Sequence, residues 1–83
     1  MIGRLSGQLV EKQPSRLIIN VQGVGYEVQV PLSTFYGLGD TGTEISLRIH
    51  THVREDTLSL FGFATELELE LFEHLISISG VGP

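Results

Sequence analysis

The stretch HVREDTLSLFGF, residues 52–63, sets Arg54, Glu55 and Asp56 between two runs that alternate apolar and polar residues. Alternation on both sides of a short polar break describes a β-hairpin with the triplet at its tip. Two adjacent carboxylates there admit three roles. They are turn residues, since Asp readily accepts hydrogen bonds within its own loop; or an acid and base pair; or a fixed negative charge facing another polyanion. Acid and base work needs split pKa values in a sheltered cleft, and a hairpin tip is the opposite environment. No catalytic role is expected. Arg54 either neutralises a phosphate beside the tip or pairs with Glu55.

Two other groups carry possible chemistry. His50 and His52 lie two apart on one strand face, a spacing that suits metal, but the chain has no Cys and His74 falls on a helix, so they read as outward polar residues. The chain closes on LISISGVGP, where Gly80 and Gly82 flank Val81 ahead of Pro83. Two glycines let a backbone approach a phosphate closely, and the amides of a hairpin plus the next helix start hold an anion. The same residues also fit a glycine cap that ends a helix. Tyr26, Phe35, Tyr36, Phe61 and Phe63 alternate with polar residues, which assigns them to packing before base stacking.

The elements that must position these residues read as five strands and a helix. Residues 2–12 form a strand ended by the turn signal QPS, RLIINVQ (16–22) a second, and YEVQV (26–30) a third, with GVG (23–25) as the turn between them. LSTFYGLGDTGT holds too many glycines for more than one helical turn. In EISLRIHTHV, Ile45, Leu47, Ile49, Thr51 and Val53 face inward and Glu44, Ser46, Arg48, His50 and His52 outward. TLSLFGF is the fifth strand, and Gly3, Gly7 and Gly62 inside strand patterns suggest bulges or sharp coiling. Five short strands with an irregular link between the third and fourth fit a mainly β chain, a Greek-key barrel of the oligonucleotide-binding (OB) type, with an SH3-like barrel as the alternative.

At Thr65 the period changes to that of a helix. TELE is a capping box, with the Thr65 hydroxyl accepting from the Glu68 amide and the Glu68 carboxylate reaching back to the Thr65 amide. Leu67, Leu71, Leu75 and Ile78 form one apolar stripe, and Leu69, Phe72 and Ile76 a second beside it. So wide a face needs cover on more than one side. The domains expected are a barrel over 1–63 and the start of a helix-hairpin-helix domain over 64–83.

With 83 residues and no cysteine, no disulfide supports the fold, and small size without a staple points to oligomerisation. No apolar run approaches the roughly 20 residues that cross a bilayer, so a cytoplasmic protein away from the membrane is expected. No GxxxxGK[ST] loop for nucleotide hydrolysis occurs, and no cofactor is expected. The net charge of −5 opposes a nucleic-acid role, but the acidity is local: Glu66, Glu68, Glu70 and Glu73 sit together, whereas Arg4, Lys12 and Arg16 face Glu11 alone in the first twenty residues. One reading is therefore an acidic protein-interaction barrel without DNA specificity.

MIGRL, EKQP, GVGYEV, HVREDTLSLFGF and LISISGVGP occur in this order from end to end. In them the chain resembles the N-terminal part of the RuvA family of Holliday-junction branch-migration proteins. The resemblance implies a bacterial, homotetrameric, non-catalytic scaffold that binds four-way junction DNA. It also implies work with the hexameric RuvB ATPase through a C-terminal domain beyond this chain, and the RuvC resolvase as a further partner. It further implies that Glu55 and Asp56 form an acidic pin at the centre of the tetramer. The paired helix-hairpin-helix motifs of that family fit Gly80, Val81 and Gly82 as contacts to DNA phosphates, and Arg54 stays the candidate for a phosphate beside the pin.

Overall fold

The computed structural model describes residues 1–79. Five strands, β1 (Arg4–Gln13), β2 (Arg16–Val21), β3 (Val24–Gln29), β4 (Glu44–Val53) and β5 (Leu58–Phe63), close into a barrel in the order β1-β2-β3-β5-β4. A five-residue helix α1 (Leu32–Tyr36) lies between β3 and β4, and α2 (Glu66–Ser79) follows β5. Four neighbouring pairs are antiparallel; β3 and β5 meet in parallel through Gln29 and Phe61 alone. This Greek-key closure is that of the OB barrel.

Closure depends on β1 serving two neighbours. Its first half pairs with β4, from Arg4↔Arg48 to Gln8↔Glu44, and its second half with β2, from Gln8↔Asn20 to Gln13↔Arg16. The handover bends the strand at a bulge between Leu9 and Glu11, which turns Val10 outward to 43% exposure. The bulge is therefore not at a glycine. Gly7 permits a different feature: a Cβ there would collide with the Asn20 carbonyl oxygen, so β1 and β2 approach each other only because none is present. Gly3 precedes β1, and its carbonyl accepts from the Ile49 amide at 2.9 Å.

Alternation fills the barrel. Leu5 and Leu9 of β1, Leu17 and Ile19 of β2, Val28 of β3, Leu47 and Ile49 of β4 and Leu60 of β5 point inward with Val30 and are all buried. Gly62 also faces in, and a Cβ on it would lie 2.7 Å from Val28 Cγ1. The β2–β3 turn differs from the sequence reading. Gln22 (φ 51°) and Gly23 (φ 90°) occupy it, while Val24 and Gly25 belong to β3, because a two-residue hairpin needs positive φ at both central positions.

Helix α2 forms a second layer over the outward face of β4 and β5. Phe72 reaches Phe63 at 5.0 Å, Phe61 at 5.6 Å and His50 at 5.4 Å between ring centroids. Phe61 and Phe63 thus pack as expected, but between barrel and helix, not inside the barrel. The capping box forms in part: Thr65 Oγ1 accepts from the Glu68 amide at 3.2 Å, but it donates to the Glu68 carboxylate at 3.0 Å, so the carboxylate serves the hydroxyl in place of the amide. Leu69, Phe72 and Ile76 turn toward the barrel. Leu67, Leu71, Leu75 and Ile78 stay 55–76% exposed, the second side for which the sequence demanded cover.

Candidate nucleic-acid interface: the β4–β5 hairpin

Two ladders of unequal length decide where the acidic tip stands. β4 keeps its β5 partner from Arg48↔Phe63 up to Val53↔Leu58, but its last ladder partner in β1 is Arg4, opposite Arg48. Beyond Thr51, whose hydroxyl exchanges hydrogen bonds with the backbone of Ile2, only the two-stranded hairpin continues. Val53 and Leu58 keep the inward orientation of their strands yet are 64% and 59% exposed, because no barrel remains for them to face. The inward orientation expected of Val53 holds, without burial. The alternation was right; what locates the overhang is the offset register, because β1 and β4 are both ten residues long yet pair only from Glu44 to Arg48 of β4.

The loop itself is four residues, closed by the Arg54 amide donating to the Thr57 carbonyl at 2.8 Å. Arg54, Glu55, Asp56 and Thr57 are all exposed. The Arg54 side chain runs back along β4, its Nε donating to His52 Nε2 at 3.0 Å. It does not pair with Glu55. Among the described residues neither Glu55 nor Asp56 has a cationic partner, whereas Arg16, Arg48 and His50 each meet a glutamate. The hairpin therefore presents two exposed carboxylates, without a cationic partner among the described residues, on a projecting stalk.

The histidines are committed elsewhere. His50 Nδ1 donates to Glu73 Oε2 on α2 at 2.9 Å, and His52 accepts from Arg54, so the two rings do not converge on a common point. No group of three His, Cys, Asp or Glu among the described residues is placed to hold a metal ion. Arg48 reaches Glu66 at 3.7 Å, and with His50–Glu73 it ties the outward face of β4 to α2. Sequence reasoning did not foresee these two ties; the step of seven from Glu66 to Glu73, against alternate positions on β4, is the spacing that carries them. Gly80, Val81, Gly82 and Pro83 lie outside the described residues, so the phosphate-binding hairpin expected there has no geometry to report.

A closed five-stranded barrel of this order, with one helical turn between β3 and β4 and an acidic hairpin standing clear of its end, defines an OB-type binding module with a projecting charged stalk. The family model described as the RuvA N terminal domain matches residues 1–62. The chain belongs to that family. Curated relatives named Holliday junction branch migration complex subunit RuvA match it throughout: 59% identity in Syntrophotalea carbinolica, 58% in Geobacter metallireducens and 57% in Geobacter sulfurreducens, each over all 83 residues. The chain spans about two fifths, 42%, of the length of each of these relatives.

Proposed function

We propose that this chain is the N-terminal part of a non-catalytic scaffold that binds four-way junction DNA and, with the RuvB ATPase, promotes branch migration in recombination and repair. Residues 1–63 form the barrel, and residues 64–83 begin a helix-hairpin-helix domain that grips phosphates through Gly80, Val81 and Gly82. RuvB engages a domain beyond this chain, and RuvC is a further partner of the assembled junction complex. The observation that carries the reading is the stalk: Glu55 and Asp56, exposed and without a cationic partner among the described residues, held beyond the barrel by a two-stranded ladder. In a homotetramer that gathers four such stalks about its axis, the carboxylates meet the strands where they cross.

Repulsion of the required size is available. Two unit charges about 10 Å apart repel by roughly 0.4 kcal/mol in water, and more beside a low-dielectric surface. Several carboxylates against several phosphates sum to a few kcal/mol, screened by salt, which keeps strands apart without chemistry. Attraction then comes from backbone amides and basic side chains elsewhere. A gel-shift series with the full-length protein on four-way, duplex and single-stranded DNA tests the reading. Preference for the four-way junction is expected; equal or absent binding would leave an acidic protein-interaction barrel in its place.

A further inference from the structure

The outward face of the β1–β4 ladder carries a polar cluster that the stalk does not use. Ser6 lies directly opposite Ser46, and Arg4 directly opposite Arg48. Arg4 Nε donates to Ser46 Oγ at 3.1 Å, and Ser6 Oγ donates to the same oxygen at 3.0 Å. A serine oxygen has two acceptor positions and one proton. The contact between the two hydroxyls uses one of their two protons, so one proton of the Ser6–Ser46 pair is left for an acceptor outside the protein. Beside it, the terminal nitrogens of Arg4 form the planar fork that matches two oxygens of a tetrahedral anion.

The charge pattern points the same way. The chain has ten acids and five Lys or Arg residues, so an arginine without a carboxylate runs against composition. Arg16 meets Glu11 and Glu27, Arg48 meets Glu66, and Lys12 donates to the Leu38 carbonyl and lies 5.0 Å from the Phe35 ring centroid. Arg4 and Arg54 meet no carboxylate among the described residues; Arg54 Nε donates to His52 Nε2, and Arg4 Nε to Ser46 Oγ. Like charges directly opposite on two strands destabilise the pair. Arg48 relieves this by turning to Glu66, and an anion over Arg4 would relieve the rest. The next row on this face holds Gln8 and Glu44. The stalk tip lies past the end of β4 at Val53, which is seven residues from Ser46, roughly 23 Å at about 3.3 Å per residue. That exceeds the screening length of about 8 Å at physiological salt, so the carboxylates of the tip do not cancel the cation; Glu44, two residues from Ser46 on this face, is the carboxylate that an anion there must tolerate.

We propose that Arg4, Ser6 and Ser46 form an oxyanion subsite for a phosphate group, supplied by a nucleic-acid backbone. Only the source of the phosphate rests on the DNA-binding reading. The test uses the full-length protein and phenylglyoxal, which modifies free guanidinium groups, with the rate at each arginine read by mass spectrometry. Junction DNA and inorganic phosphate are each expected to slow modification of Arg4 saturably and to leave Arg16 unchanged. Arg4→Gln is expected to weaken junction binding irrespective of sequence and to reduce the slope of log K against log salt by about 0.9, the loss of one phosphate contact. Ser46→Ala, which keeps the guanidinium, is expected to diminish the protection by phosphate; undiminished protection would overturn the hydroxyl geometry. Protection by inorganic phosphate but not by bound DNA would overturn the nucleic-acid source. No protection by either, with an unchanged salt slope in Arg4→Gln, would overturn the subsite. Failure of the unaltered protein to bind junctions would instead remove the function proposed above, while the phosphate arm still decides the subsite.

Discussion

Replacing Phe72 by alanine should release α2 from the barrel without unfolding the barrel. Among the described residues the helix packs mainly on β4 and β5, and the Phe72 ring meets Phe61, Phe63 and His50 within 5.0–5.6 Å. Truncating a fully buried Phe costs about 3–5 kcal/mol. Phe72 is half-buried, and the Arg48–Glu66 and His50–Glu73 pairs remain, each partly exposed and worth up to about 1 kcal/mol. The expected loss in docking free energy is therefore about 2–3 kcal/mol, scaled down from the buried case for the exposed part of the ring. A 14-residue helix is marginal in water on its own, so undocking and melting are the same event. Native-state hydrogen exchange on the 83-residue chain reads this directly. Amides in the body of α2 should exchange about 30- to 150-fold faster, at tenfold per 1.4 kcal/mol, while those of Leu9 and Ile19 in the barrel keep their rates. Equal acceleration in barrel and helix would refute the view of two layers with separate stability, and unchanged rates in α2 would refute the role of the aromatic cluster.

Other outcomes follow from the same geometry. Glu55→Gln with Asp56→Asn in the full-length protein should tighten junction binding by removing repulsion while altering strand movement; weaker binding in a gel-shift titration would count against the pin. Gly62→Ala places a methyl 2.7 Å from Val28 Cγ1 and 3.1 Å from Leu47 Cδ1 inside the barrel, and urea denaturation should show a loss of about 1–3 kcal/mol. Thr65→Ala removes the acceptor for the Glu68 amide at the start of α2 and should cost about 1 kcal/mol in the same assay, with lower helicity by circular dichroism.

The candidate site was legible to the degree that it is local. A tip of Arg54, Glu55 and Asp56 between two alternating runs identifies a hairpin, since period-two patterning needs no knowledge of the rest of the fold. The partner of Arg54 was not legible. Its side chain turned to His52, two residues back on the same strand, where charge alone had suggested Glu55 or a phosphate. The Arg4–Ser6–Ser46 cluster was equally hidden, because Ser46 lies forty residues or more from the other two in sequence and meets them only through the register of β1 on β4.

The amino-acid sequence by itself determined the strands, the turn after Gln13, the onset of α2 at Thr65 and the faces that carry apolar side chains, because dihedral preference, capping and alternation act within a few residues. Tertiary structure decided which apolar residues are buried. Val53 and Leu58 point inward and remain exposed because β4 and β5 outrun the barrel, while Phe61 and Phe63 point outward and are covered because α2 lies on them. Burial depends on what stands opposite a side chain, and that is set by the closure of the barrel and the docking of the helix, which no local pattern records.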